Sequence, residues 1–310
     1  MKRSIAISTL FGLAAMWAGM PGQTQPLPPE PVVRIAWVGD VMLADGPGRL
    51  IGRGGDPFKP FAKLLASADL RLANLECVIA EGGKEIPGKP WTFRAKPSVL
   101  PLLKRHFDAV SLANNHSGDY GRSAFVEMLG RLEAAGLPYF GGGRDLRQAH
   151  RPLIIERKGI KIALLGYDEF MPRSFEAGDD YAGVAWSEDQ QVVWDIRQAR
   201  LQADLVIPFM HWGQEHESTA NARQRQLARL MIDAGADAVV GTHPHVVQDT
   251  ETYKGKPIVY SLGNFVFDGF DNPDNNTGAV LWMDVTRQGV SNWRMETAII
   301  DRNGTPHPGR

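Results

Sequence analysis

The sequence predicts a layered α/β domain with a core of two sheets and helices on the outside. Three observations carry this. Short apolar runs alternate with helical patterns along most of the chain, the order of strand and helix units rather than of a helix bundle or an all-β barrel. Towards the end, strand-like runs follow one another with few helices between, which suits antiparallel pairing. The chain has 310 residues, 43% of them hydrophobic and 22% charged, enough apolar surface for one large domain and its core.

The elements follow in order. Met1-Lys2-Arg3, an apolar stretch from about Ile5 to Met20 and the polar, Pro-rich Gln23 to Pro31 have the charged, apolar and polar order of an export signal. Residues 1–22 are therefore read as a signal peptide or N-terminal anchor, 23–31 as a Pro-rich linker, 32–303 as the domain and 304–310 as a loose tail. No pair of small residues marks a cleavage point, and the stretch is short for a span of about 20 apolar residues. Cleavage and anchoring both stay open, and either makes the domain periplasmic or cell-surface. Cys77 is the only cysteine, so there is no internal disulfide and no lipid-bearing Cys near the start.

Val32 to Val38 reads as the first strand, ending in Gly39-Asp40. Asp69 to Leu75, Ala109 to Leu112, Ile160 to Leu165, Leu205 to Met210, Ala238 to Val240 and Ile258 to Ser261 are also strand-like. Apolar residues near helical spacing fill the gaps at Phe58 to Ala68, Ser98 to Phe107, Ser123 to Ala135, Ser187 to Ala203 and Asn221 to Ala234. Gly136 and Gly235 sit just past two of these helices. Thr250 to Ser261, Phe265 to Asp268, Gly278 to Thr286 and Ser291 to Ile300 supply the later strands. Polar loops at Gly82 to Pro90, Asp179 to Gly183 and Asp271 to Asn276 are long enough to lie over a site.

The chemistry-bearing residues share one position: each follows an apolar strand, where open α/β sheets hold their ligands. Asp40, Glu76, Asn115 with His116, His211 and the pair His243 and His245 stand at successive strand ends. In Gly241-Thr242-His243-Pro244-His245, after the apolar run Ala238 to Val240, a turn would present both imidazoles to one cation, and their spacing of two residues puts both on one face of an extended segment. Carboxylate, amide oxygen and imidazole together suit zinc, manganese, iron or cobalt rather than calcium, and the lack of thiols argues against a structural Cys-type zinc site. The expected cofactor is a divalent transition metal, as one or two ions. Such an ion polarises a phosphoryl or carbonyl oxygen and activates water near neutral pH. His116 is the candidate proton donor to a leaving group. Asn74, Glu215 and Asn264 are expected to contact substrate or to support the ligands, and His216 stands beside Glu215.

At these residues a family is recognisable. Val38-Gly39-Asp40-Val41-Met42-Leu43, Asn74-Leu75-Glu76, Leu112-Ala113-Asn114-Asn115-His116 with Asp119 and Gly121, Met210-His211-Trp212-Gly213-Gln214-Glu215, Gly241 to Gln248 and Tyr260-Ser261-Leu262-Gly263-Asn264-Phe265 stand in order. Together they resemble the CapA family, the PGA_cap capsule-synthesis domain, over roughly Val33 to Asp268. The resemblance implies a calcineurin-like metallophosphoesterase fold, a single-domain four-layer αββα sandwich with a two-metal site, and an extracytoplasmic role in making or anchoring poly-γ-glutamate or a related capsule polymer. By position, Asp40 stands for the first metal-binding Asp, Glu76 for the bridging carboxylate, Asn115 and His116 for the Asn-His pair, and His211, His243 and His245 for the remaining imidazoles. One departure matters: metallophosphoesterases place a His two residues after the first Asp, and this chain has Met42, a thioether poorly suited to a hard cation. The first metal position is weakened or empty, or another residue such as Asp45 fills it.

Expected partners are an anionic polymer or its phosphorylated precursor and a capsule synthase complex in the membrane. A net charge of -1 with no basic tract argues against nucleic acid. A non-catalytic polymer-binding assembly factor and an extracytoplasmic phosphodiesterase or nucleotidase are the alternatives.

Overall fold

The structure is a computed structural model that describes residues 30–170 and 173–309. The expected signal or anchor lies outside them. Among the described residues, no helix is long and apolar enough to cross a membrane.

Two mixed sheets form the centre. One runs, edge to edge, through Pro306–Pro308, Gly289–Ile300, Thr277–Thr286, Val33–Val41, Leu70–Leu75, Ala109–Ser111 and Tyr139–Phe140, with Asn264–Val266 also pairing the end of Val33–Val41. The other orders Thr250–Tyr253, Lys256–Val259, Val239–Thr242, Leu205–His211, Ile160–Asp168 and Leu153–Arg157. The strands nearest the site are parallel within each sheet, so their carboxyl ends share one edge.

Alternation along each strand explains the layering, because successive side chains of a strand face opposite sides. Val33, Ile35 and Trp37 belong to one apolar cluster with Ile162, Leu164, Ile207 and Phe209 of the second sheet. That cluster is the seam between the sheets, where Trp37 meets Phe209 edge-on at 5.1 Å. Ala36 and Val38, facing the other way, pack with Phe58, Phe61, Leu103, Phe125 and Leu129 of the first helical layer. On the far side, Ala163, Leu165 and Val206 pack with Val192, Ile196, Leu227 and Met231 of the helices Asp189–Arg200 and Ala222–Ala234. Helix, sheet, sheet, helix is the αββα sandwich. Each buried aliphatic or aromatic side chain contributes about 1.5–3 kcal/mol relative to exposure.

Local signals set the boundaries. Asn221 and Gln224 form a reciprocal capping box at the start of Ala222–Ala234. Gly136 ends Gly121–Ala135 in the left-handed region at φ 62°.

Three readings need correction. The segment 304–310 is no loose tail throughout: Pro306–Pro308 pairs antiparallel with Gly289–Ile300, and Gly309 donates to the Thr297 carbonyl at 2.8 Å. The expected helix Phe58 to Ala68 is a 3-10 turn, Lys59–Phe61, followed by the single turn Ala62–Leu65, in keeping with Pro60 at its start. A helix at Asp45–Gly52 and a strand at Leu153–Arg157 have no counterpart in the expected elements. Gly46, Pro47, Gly48 and Gly52 hide that helix, whose Gly46 amide donates to the Asp268 carboxylate at 2.9 Å.

Candidate metal centre

The two sheets deliver their strand ends to one point. Asp40 closes Val33–Val41, Glu76 follows Leu70–Leu75, Asn114 to His116 follow Ala109–Ser111, His211 closes Leu205–His211 and His243 follows Val239–Thr242. Close strand approach makes this geometry feasible. A side chain at Gly39 would strike the Gly263 carbonyl, and one at Gly241 the Tyr260 carbonyl. Glycine at Gly39 therefore lets the Asp40 amide reach the Gly263 carbonyl at 3.1 Å.

A network of buried amides orients the ligand-type groups. Asn74 Nδ2 donates to Asp40 Oδ1 at 2.8 Å and lies 3.2 Å from His211 Nδ1. Asn114 Nδ2 in turn donates to Asn74 Oδ1 at 3.0 Å and to the Leu75 carbonyl at 2.9 Å. Asn115 Oδ1 sits 2.9 Å from His211 Nε2, and Asn264 Oδ1 sits 2.8 Å from His245 Nδ1. His116 Nδ1 meets Asp119 Oδ2 at 2.7 Å, which leaves its Nε2 facing Glu76 Oε1 at 3.9 Å. Glu215 stands apart from this network, exposed on the wall of the adjoining cavity.

Glu76 is central. Its Oε1 lies 3.7 Å from His211 Nε2 and 3.8 Å from His245 Nε2. Candidate ligand atoms fall into two groups that share it, Asp40 with Glu76 and His211, and Glu76 with His243 and His245, each with its atoms within 4.8 Å of one another. Both Glu76 oxygens and His243 Nε2 are buried and have no hydrogen-bond partner among the described residues. Buried polar atoms are nearly always satisfied, and leaving one unpaired costs about 1–3 kcal/mol, more for a charge.

Electrostatics agree with that geometry. Burial pushes the Glu76 carboxyl well above its ordinary value, with the nearby Asp40 charge adding, and burial raises Asp40 as well. Burial also holds His211 and His243 well below the usual imidazole value, reinforced by neighbouring imidazoles. Imidazoles held neutral, one of them with an unpartnered Nε2, beside carboxyl oxygens that repel one another are the donor set a divalent cation stabilises. The residues present fit such an ion.

The chain turns at His243 and His245 rather than running on extended. The strand ends at Thr242, and both residues have positive φ, 97° and 57°. Such conformations in non-glycine residues cost about 1–3 kcal/mol each and cluster at functional sites. The turn brings both imidazoles to Glu76. Met42 is buried in the first helical layer, its sulfur accepting from the Ala44 amide at 3.1 Å. Asp45 belongs to neither group of ligand atoms; it lines the cavity outside.

Two groups here escaped the sequence reading. Asp168, at the end of Ile160–Asp168, is a further buried carboxyl that burial raises to about 7. Its signal was the same strand-end position, hidden because the apolar run stops at Leu165. Lys89 bonds the Asn115 carbonyl at 2.6 Å and pairs with Asp119, tying the 82–90 loop to the residue that orients His116. Nothing in a lysine within a polar loop announces that contact.

Comparisons with known proteins add the following. Residues 34–269 match the family described as bacterial capsule synthesis protein PGA_cap. The chain is 35% identical to the PGA biosynthesis protein CapA of Bacillus subtilis, over 98% of this chain and 82% of that one. With the capsule biosynthesis protein CapA of Bacillus anthracis the identity is 32%, over 74% of this chain and 59% of that one. Among solved structures, a novel phosphatase from Mycoplasma pneumoniae superposes with a TM-score of 0.58 at 14% identity, covering 87% of this chain and 94% of that one. A 5'-nucleotidase precursor from Thermus thermophilus gives 0.55 at 11% identity, covering 89% of this chain and 56% of that one. Those likenesses establish the fold alone, a layered α/β sandwich.

Proposed function

Since the chain belongs to the bacterial capsule synthesis protein PGA_cap family, we propose that it is an exported component of poly-γ-glutamate or related capsule synthesis or anchoring, carrying a metal-dependent hydrolase-type site. Asp40, Glu76, Asn115, His211, His243 and His245 would hold one or two divalent ions, manganese, zinc or iron, with Glu76 shared between them. The observation that carries this is the Glu76 carboxylate, buried with both oxygens unpartnered among three imidazoles and a second carboxylate. A bound ion supplies Lewis-acid polarisation of a carbonyl or phosphoryl oxygen and a lowered pKa for water.

The chain's own residues do the rest. Asn74, Asn114 and Asn264 fix the imidazoles and Asp40, and such supporting hydrogen bonds are worth roughly 10–100-fold in metal affinity. Asp119 holds the His116 ring, whose Nε2 hands a proton to the leaving nitrogen or oxygen. The bond cut is an amide in an anionic polymer or an ester in its phosphorylated precursor, and the neighbour in the cell is a capsule synthase complex in the membrane.

A second reading, a non-catalytic factor that keeps the site to bind polymer, is favoured by Met42, which puts a core-buried thioether where metallophosphoesterases carry a ligand. One experiment separates the two. Metal content is measured on the purified chain, which is then assayed with manganese, zinc or iron against poly-γ-glutamate and a chromogenic phosphodiester, beside the Asp40→Ala, His243→Ala double variant. Metal-dependent product that the double variant lacks supports the enzyme; bound metal without product supports the binding factor. Product from the phosphodiester alone moves the assignment to an extracytoplasmic phosphodiesterase or nucleotidase.

A further inference from the structure

Beside the metal-type residues opens a cavity of about 630 Å³, and its walls carry a chemistry that the ligand set does not use. His116 and His245 stand at its inner end. Behind them is the fully buried Glu76, unpartnered and within 3.9 Å of both imidazoles. From there outward the floor is aromatic. Phe93 lies tilted against His116 with ring centres 4.4 Å apart and meets Phe267 edge-on at 5.5 Å, and Phe267 meets Phe270 at 5.4 Å. Trp91, 71% exposed, stands at the mouth.

The rim is acidic. Asp45, Glu215, Asp268 and Asp271 line the cavity against a single cation, Arg49, which is 3.8 Å from Asp268. Among the described residues, Asp45, Glu215 and Asp271 line this wall without an ion-pair partner. A run of polymer carboxylates laid along this wall would meet like charges. A cation over an aromatic face, ringed by carboxylates, is instead favoured by both terms.

We propose that this cavity takes the ammonium-bearing end of an amide-linked acidic chain, whose first carbonyl then lies against the His116 and Glu76 end. The inference rests on the metal-site reading above and deepens it. It selects the free amino terminus of the polymer over its interior and over a phosphodiester, because only that end carries a positive charge. The site would act from the chain end, one residue at a time.

The test is equilibrium binding by calorimetry of γ-glutamyl-glutamate and of its N-acetylated form to the full chain loaded with manganese, with metal content measured on the same preparation. The free amine is expected to bind about tenfold more tightly, the scale of a cation over an aromatic ring plus a few ion pairs at a partly exposed site. Asp45→Asn with Asp271→Asn, both on exposed residues, should bring the two ligands within about twofold, and Trp91→Ala should narrow the gap. Equal binding of the two ligands to the metal-loaded chain, or binding of neither, overturns the cavity assignment and leaves the metal site standing. A preference for the free amine in a chain that retains no metal overturns the metal reading alone.

Discussion

Two buried polar clusters flank the second sheet, and they are built from the same side chains to opposite ends. On its helical side, His150 Nδ1 meets Asp195 Oδ2 at 2.7 Å, Tyr167 donates to the same oxygen at 2.9 Å, and Gln191 donates to Asp195 Oδ1 at 2.7 Å. Both Asp195 oxygens are bonded. At the strand ends, Glu76 and His243 hold three buried atoms with no partner. One cluster is closed, and it stabilises the packing of Asp189–Arg200 on the sheet. The other is open, which destabilises the chain by itself and makes sense only with something bound. Histidine and carboxylate in the interior are therefore not the mark of a functional site; here the mark is a carboxylate and an imidazole left unpartnered side by side.

The largest expected effect breaks the open cluster. Glu76→Gln keeps the shape and removes the shared charge, so metal content should fall from its wild-type level to near zero. Affinity should drop by more than the roughly 100-fold typical of a supporting residue. Without metal, the variant should melt no lower than wild type, because a buried unpaired carboxylate has been replaced by a neutral amide. Elemental analysis and thermal melts in chelator check both, and a variant that retains metal would show that Glu76 is not shared between the ligand groups.

Next in size is the closed cluster. Asp195→Ala leaves the His150 ring and the Tyr167 hydroxyl buried without partners and should cost about 3–5 kcal/mol of stability, with metal content per folded chain unchanged. Denaturant melts give the first quantity and elemental analysis the second. Loss of metal alongside stability would erase the distinction between the clusters.

Much of the fold was legible because alternation is visible in the residues themselves: Val33, Ile35 and Trp37 against Ala36 and Val38 state a strand with two covered faces. The strand-end residues were legible for a related reason, since parallel strands that share an edge bring their ends together whatever lies between them in sequence. What stayed hidden depends on distant partners. The Asp45–Gly52 helix is poor in helix formers and is held at its start by Asp268, more than 200 residues away. The Leu153–Arg157 strand alternates only weakly because Glu156 and Arg157 end it at an edge, beside Lys161 and Ile160. Closed and open clusters look alike in sequence, as His150 and His243 do, and only the hydrogen-bond partners separate them.

The smallest expected effect sits where the two clusters touch. Tyr167 and Asp168 are consecutive on one strand and so face opposite sides: Tyr167 joins the closed cluster, while Asp168 has as its side-chain partner the Phe170 amide at 3.0 Å. Burial raises the Asp168 carboxyl from 3.8 to about 7. A carboxyl whose pKa is higher in the folded chain binds its proton more tightly there, so its contribution to stability is complete below about pH 4 and is lost as pH rises through about 7. In chelator, wild type should therefore lose stability relative to Asp168→Asn across that window, by roughly 2–4 kcal/mol. Parallel pH-dependent curves for the two proteins would mean that Asp168 titrates normally. Asp168 would then belong with the satisfied groups and not with the open ones.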